Sequence, residues 1–106
     1  MNKNELLDAC KAVLNSRGQH YGNVYENHKR IAEIWSIILG VKILTEQVPL
    51  MMVGLKVARL IETPDHQDSI IDLAGYAATL SECVEEKKKN QNQTKSQPEG
   101  YLWHKN

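Results

Sequence analysis

The sequence predicts an all-α protein, with a four-helix bundle-like domain in residues 1–86 and a polar C-terminal tail in residues 87–106. Apolar residues recur every three or four positions in four segments, which places them on one face of a helix. No segment shows the alternation of apolar and polar residues that predicts a strand. The connections between the segments are short, as between antiparallel neighbours in a helical bundle.

The first helix is predicted from about Lys3 to Ser16, and Gly18 is its expected C-cap, because glycine adopts the left-handed conformation readily. The second helix is predicted from about Asn23 to Leu39–Gly40. A lone histidine on the core face of a helix is more often structural than a ligand. The apolar seam of the second helix, expected to face the core, consists of Val24, His28, Ile31, Trp35 and Ile38.

The third helix is predicted from Thr45, its expected N-cap, to about Glu62, just before Pro64. Its sequence, V-P-L-M-M-V-G-L-K-V-A-R-L-I, is apolar on every side apart from Lys56 and Arg59. A helix of this kind is normally central and covered on all sides. Four short helices cannot easily cover it, so we expect a homo-oligomer. Such an assembly could place the binding site between two subunits.

The fourth helix is predicted from about Gln67 to Glu86. From Lys87 onward the chain becomes polar and loses its periodicity, which predicts a solvated linker. The chain ends in Y-L-W-H, so the segment from Tyr101 to Trp103 is either an incidental C-terminus or a tail that docks onto the body or a second subunit. The apolar side of the fourth helix consists of Ile70, Leu73, Ala74, Ala77, Leu80 and Val84.

The charge balance argues against a nucleic-acid-binding protein. Lys and Arg total 13, as do Asp and Glu, so the chain lacks the positive excess that such proteins carry. Cys10 and Cys83 have no metal-ligand spacing and fall inside predicted helices, which indicates buried, reduced thiols. We expect a cytoplasmic protein without a membrane partner, because no signal peptide or membrane-spanning segment is visible.

Charged stripes are predicted on three helices, because residues three or four apart share a helix face. In one interpretation the aspartates of helix four neutralise the cations of helix three. In the other, carboxylates from two helices bind a divalent cation, for which we expect Mg²⁺, while the cations contact phosphates. Gly75, inside helix four, predicts a close approach by a backbone or a ligand. The stripes are Glu26, Arg30 and Glu33 on helix two, Lys56 and Arg59 on helix three, and Asp68, Asp72 and Tyr76 on helix four.

The segment R-G-Q-H-Y-G after helix one is predicted to be a loop that contains Arg17, His20 and Tyr21. It lies just before the start of helix two, where backbone amides favour anions, so a base or a phosphate could bind here. A glycine-rich connection with Tyr21 packed inward would have the same sequence. Both interpretations stay open.

Three segments form a specific combined motif: R-G-Q-H-Y-G-N-V-Y-E-N-H-K-R-I-A-E-I-W, P-L-M-M-V-G-L-K-V-A-R-L and D-S-I-I-D-L-A-G-Y-A. Together they resemble a family of small, uncharacterised bacteriophage proteins, and the resemblance covers about Leu6 to Glu82. It implies that the protein works in the cytoplasm of a host cell.

More distantly, the layout resembles the MazG-type all-α nucleoside triphosphate pyrophosphatases, which hold Mg²⁺ with acidic residues of two helices. The resemblance implies that Lys56 contacts phosphate and that the metal ligands are Glu26, Glu33, Asp68 and Asp72. The chain departs from that pattern twice. The Glu-x-x-Glu pair is absent from helix two, where Arg30 separates acids seven residues apart, and Asp-x-x-x-Asp replaces Glu-x-x-Asp. A binding-only descendant is therefore an alternative.

Three functional hypotheses are open. The first is a Mg²⁺-dependent enzyme that hydrolyses a nucleoside triphosphate to the monophosphate and pyrophosphate. The second is a non-catalytic binder that sequesters a nucleotide-derived host immune signal. The third is a helical inhibitor of a host protein, with purely structural charges. No catalytic residue is assigned, and the expected ligand- or phosphate-binding residues are Lys56, Arg59, Arg17, His20, Tyr21, Arg30 and Tyr76.

Overall fold

The four periodic segments form four helices, as predicted. The computed structural model describes residues 1–21 and 23–93, with the side chains of residues 20, 21, 92 and 93 excepted. No strand occurs among these residues, so the all-α prediction is confirmed. The helices are α1 (Lys3–Tyr21), α2 (Val24–Leu39), α3 (Gln47–Glu62) and α4 (Gln67–Gln93).

The central helix of the described chain is α4, which contacts each of the other three helices and packs most extensively on α3. Its most buried positions are small: Ser69, Gly75, Thr79 and Cys83. The small side chains of Ser69, Thr79 and Cys83 let neighbouring helices pack against α4. The hydroxyl of Thr79 is satisfied by donating to the carbonyl oxygen of Gly75, at 3.0 Å. On the predicted apolar side of α4, Ala77 is exposed.

The prediction that α3 is central and covered is wrong for the single chain. Val48 and Pro49 are buried and Lys56 is half-buried on the side that faces α4. The opposite side is open, because α1 packs on α4 and α2 instead of covering α3. Large apolar side chains there are therefore exposed: Leu50, Met51, Leu55, Val57 and Ile61.

Helix α1 continues to Tyr21, past its predicted end at Ser16 and its expected C-cap at Gly18. An isolated glycine weakens a helix without ending it. The last turns of α1 are held against α4 by an ion pair between Arg17 and Asp72. The predicted R-G-Q-H-Y-G loop is therefore wrong through residue 21, since this stretch is helical.

The bounds predicted for α2 are confirmed. The side-chain oxygen of Asn23 accepts a hydrogen bond from the backbone amide of Glu26 at 2.9 Å, which satisfies one of the free donors at the helix start. Gly40 ends the helix in the left-handed conformation, with φ 70°, and its amide donates to the carbonyl oxygen of Ser36.

Thr45 is not the N-cap of α3, contrary to the prediction. The helix begins at Gln47 after a backbone turn, in which the Gln47 amide donates to the Leu44 carbonyl oxygen at 3.0 Å. The Gln47 side chain accepts from the Leu44 amide in return, at 2.8 Å. This turn satisfies groups that a Thr45 side chain would otherwise cap. The predicted end of α3, before Pro64, is confirmed.

Helix α4 continues to Gln93, beyond its predicted end at Glu86. Two polar residues of this extension contact other elements of the protein. Lys87 pairs with Glu46, which is buried at the start of α3, and the Asn90 amide donates to the Tyr25 hydroxyl at 3.5 Å. Tertiary contacts therefore stabilise a helix that the composition did not predict. The predicted tail segment from Tyr101 to Trp103 lies outside the described residues.

Cys10 and Cys83 are both buried and free, as predicted. None of the described helices has the length and hydropathy needed to cross a bilayer. Burial, reinforced by the carboxylates of Glu46 and Glu82, raises the pKa of the Cys83 thiol from 9.0 to about 11.

We expect Gly75→Ala to stabilise the protein. A β-carbon at Gly75 would lie 4.0 Å from the sulfur of Cys10, an ordinary contact, so the predicted close backbone approach is absent. Alanine should raise the free energy of unfolding by about 0.5–1 kcal/mol in urea titrations. Gly40→Ala is the opposing control and should lower it by about 1–2 kcal/mol, because Gly40 is left-handed. Destabilisation by Gly75→Ala would contradict this packing.

The raised pKa of Cys83 predicts an alkaline loss of stability. The unfolded chain ionises this thiol at lower pH than the folded chain, so its contribution to the free energy of unfolding should be complete below pH 9.0 and fall as the pH rises towards about 11. Urea titrations of the wild type and Cys83→Ala across this range measure the effect. The free energy of unfolding should fall less over this pH range in the alanine variant than in the wild type. If the two proteins lost stability in parallel, the prediction would be contradicted.

Candidate functional site

An open pocket of about 550 Å³ lies between the four helices. Helix α2 contributes five of the residues that line it, and α1, α3 and α4 contribute two each. The residues that line it are Leu14, Arg17, Val24, Asn27, His28, Ile31, Trp35, Val48, Met52, Tyr76 and Thr79.

The α2 wall of the pocket is the seam that the sequence placed in the core. Val24, His28, Ile31 and Trp35 share one face of α2 because they follow at three- and four-residue steps. All four are half-buried rather than buried, since they border an open pocket instead of a filled core. Ile38, the last predicted member of the seam, is exposed and does not line the pocket.

The polar groups of the pocket are few and differ in kind. Arg17 and Tyr76 come from α1 and α4, and Asn27 adds an amide that both donates and accepts. His28 Nδ1 lies 2.8 Å from the Val24 carbonyl oxygen. A carbonyl only accepts, so Nδ1 donates, and Nε2 of the neutral ring is the acceptor. The pocket therefore offers the cation of Arg17, the amide of Asn27, the hydroxyl of Tyr76 and Nε2 of His28 between apolar walls.

Asp72 connects the pocket to α3 through two ion pairs. Its Oδ2 lies 3.1 Å from Lys56 Nζ, and its Oδ1 lies 3.4 Å from Arg17 Nη2. The Lys56 side chain is 13% exposed and that of Arg17 is 41% exposed. The Lys56–Asp72 pair agrees with the interpretation in which the aspartates of helix four neutralise the cations of helix three. The contact with Arg17 was not predicted, because Arg17 was assigned to a loop.

The other predicted site residues lie away from this cluster. Arg59, Asp68, Glu26, Arg30 and Glu33 are exposed, and none lines the pocket. Glu33 instead borders a second, more polar cavity of about 400 Å³ beside the Lys87–Glu46 pair. His20 and Tyr21 belong to the last turn of α1, and their side chains lie outside the described part of the chain.

The four carboxylates predicted to bind Mg²⁺ are not brought together. In the part of the chain that the structure describes, no group of three or more His, Cys, Asp or Glu residues is arranged to hold a metal ion. The reason is geometric. Glu26 is exposed on α2, Glu33 borders the second cavity, and Asp72 is engaged by the cations of α1 and α3. Binding of Mg²⁺ stays a prediction.

Sequence reasoning missed Asn27, Trp35 and Thr79 as pocket residues. Asn27 stands three residues after Val24 and four before Ile31, so its position on the seam was visible in the spacing. Thr79 lies three residues after Tyr76, on the stripe already assigned to ligand contacts. Trp35 was assigned to the core, because an apolar seam has the same pattern whether it faces a core or a pocket.

The Lys56–Asp72 pair predicts an asymmetric response to mutation. Asp72→Ala leaves the largely buried Lys56 ammonium without this partner, and should lower the free energy of unfolding by about 1–3 kcal/mol. Lys56→Met keeps the aliphatic volume, and Asp72 keeps Arg17, so the change should stay within about 1 kcal/mol. Urea unfolding of both variants measures the difference, and equal losses would contradict this account of the pair.

Comparison with known proteins shows which family this chain belongs to and which proteins it resembles. A family model described as a domain of unknown function, DUF6378, matches residues 5–84. The Gene 55 protein of Mycobacterium phage L5 is 43% identical over 77 residues, which are 71% of this chain and 49% of that protein. The Gene 55 protein of Mycobacterium phage D29 is 35% identical over 86 residues, 81% of this chain and 57% of that protein.

The chain thus spans about half the length of the curated relatives it matches. No solved structure matches it. The family match includes every residue that lines the larger pocket, and the expected resemblance to bacteriophage proteins is confirmed. The chain is thus similar to proteins of two mycobacteriophages, and it belongs to the DUF6378 family.

Proposed function

We propose that this chain binds a nucleotide or a nucleotide-derived small molecule in the pocket between its four helices. The observation that carries the proposal is one pocket with apolar and aromatic walls and a guanidinium group at its edge. Its volume of about 550 Å³ is in the range of small-molecule sites. Such sites are mostly apolar and contain a small number of polar groups that orient the ligand.

The base would lie against the apolar walls. Trp35 and Tyr76 line the pocket from α2 and α4, and aromatic rings stack on the flat faces of bases. Asn27 supplies an amide that can pair with the donors and acceptors of a base edge. These groups therefore suit a flat, polar-edged ring better than a purely apolar ligand.

The phosphate would lie at Arg17. Its guanidinium is 41% exposed and makes a 3.4 Å contact with Asp72, so it can turn to an incoming anion. A bidentate arginine–phosphate pair is stronger than an ordinary neutral hydrogen bond. Lys56 stays paired with Asp72 and gives this end of the pocket an excess of positive charge, because two cations share one carboxylate.

Binding without turnover is the form of the proposal that these residues favour. Hydrolysis, as implied by the resemblance to the MazG-type enzymes, needs a set of carboxylates free to hold Mg²⁺. Both oxygens of Asp72 face cations of the chain, and the other three predicted ligands are exposed and do not line the pocket. The described residues thus do not fit a magnesium site. Sequestration of a nucleotide-derived host signal is accordingly our proposed role.

A thermal-shift screen of nucleotides and cyclic nucleotides, with Mg²⁺ or with EDTA, tests the proposal. Binding raises the melting temperature by mass action. We expect at least one ligand to raise it equally in EDTA, and to be recovered intact. A panel without any stabilising ligand would contradict the proposal. Release of pyrophosphate only with Mg²⁺ would instead support the first hypothesis, a hydrolase.

Arg17→Ala should weaken the best ligand by about ten- to a hundred-fold, because a hydrogen bond to a charged group contributes roughly 1.5–3 kcal/mol. Arg30→Ala is the matched control, since Arg30 is an exposed arginine that does not line the pocket. Titration calorimetry measures both affinities. Equal losses in the two variants would show that the ligand responds to overall charge and not to this pocket.

A further inference from the structure

The charged groups at one end of the pocket leave a single positive charge for a ligand. Among the described residues that line the pocket, Arg17 is the one lysine, arginine, aspartate or glutamate. Asp72 connects it to Lys56: its Oδ1 lies 3.4 Å from Nη2 of Arg17, and its Oδ2 lies 3.1 Å from the Lys56 ammonium. Two cations and one carboxylate sum to one positive charge, so this end of the pocket matches one negative charge.

Nucleotide ligands differ in how much negative charge their phosphates carry. A phosphodiester, as in a cyclic nucleotide, has one ionised oxygen and therefore one negative charge. A phosphate monoester carries about 1.5 to 2 negative charges at pH 7. A triphosphate carries more, because each added phosphate is also ionised. The charge of a phosphodiester is thus the one that the cluster of Arg17, Lys56 and Asp72 balances.

Further phosphate charge would meet the carboxylate of Asp72. This side chain is 23% exposed and lies within ion-pair distance of the guanidinium that would hold the phosphate. Like charges repel at this range, more strongly beside a protein surface than in bulk water. Proteins that bind triphosphates offset this repulsion with further cations or with Mg²⁺. In the described part of this chain, no group of three or more His, Cys, Asp or Glu residues is arranged to hold that metal.

From this charge balance, we propose that the pocket prefers nucleotides with a phosphodiester, such as cyclic nucleotides, to nucleoside mono- and triphosphates, and that Asp72 sets the preference. The inference rests on the proposed function, because it concerns the ligand of the same pocket. Asp72 does not line the pocket. It acts through Arg17, whose guanidinium it contacts, and through the negative field that it adds beside the phosphate.

Titration calorimetry in EDTA tests the preference in the wild type. The probes are the cyclic monophosphate, the monophosphate and the triphosphate of each common ribonucleoside, at one ionic strength. We expect the best cyclic nucleotide to bind about ten-fold or more tightly than the triphosphate of the same nucleoside. A triphosphate that binds as tightly as its cyclic counterpart would overturn the preference and leave the proposed function standing. If no probe binds, the proposed function and this inference fail together.

Asp72→Asn tests the role of the carboxylate. Asparagine keeps the size of the side chain and an oxygen that accepts from Arg17 and Lys56, but it removes the negative charge. The affinity for the triphosphate should rise more than that for the cyclic nucleotide, and the ratio of the two should fall by about five-fold or more. Both affinities are measured on one protein, so a loss of folded material cancels in the ratio.

Asp65→Asn is the matched control, because it removes an equal charge from an exposed aspartate that does not line the pocket. Its ratio of affinities should equal that of the wild type. An equal fall in Asp65→Asn and Asp72→Asn would overturn the role of Asp72, since the ligand would then respond to overall charge.

Lys56→Met is a second variant, which changes the charge of the cluster in the opposite direction. Methionine keeps the apolar part of the side chain and Asp72 keeps Arg17, so the fold should remain intact. The cluster then has no net charge. All affinities should fall and that for the triphosphate should fall most, which widens the ratio. A ratio that stays at the wild-type value in both Asp72→Asn and Lys56→Met would overturn the proposal.

Discussion

The packing of three helices around the small, buried side chains of α4 is the constraint on which the rest of the structure depends. Because Ser69, Thr79 and Cys83 occupy little space, α1 and α3 both lie directly against α4. The two helices approach it on different sides, so α1 cannot also cover α3. A pocket between the helices and an exposed outer face on α3 are two consequences of this one arrangement.

Local patterns in the sequence predicted the helices well and their ends unevenly. Asn23 and Gly40 mark the ends of α2 because a cap acts within a few residues. The extensions of α1 and α4 depend instead on pairs that are distant in sequence. Arg17 pairs with Asp72, and Lys87 pairs with Glu46, across 55 and 41 residues. No local pattern reports such a contact, so a glycine and a polar run were interpreted as helix ends.

The candidate site was predictable only in part, for a related reason. Helical spacing placed Lys56 and Asp72 on facing stripes, and the structure brings them within 3.1 Å. The same reasoning assigned Trp35 to the core, because periodicity identifies an inward face but not what lies opposite it. The carboxylates of α2 are exposed and do not line the pocket, because a charged stripe can also face solvent. Which stripes face each other is set by how the helices cross.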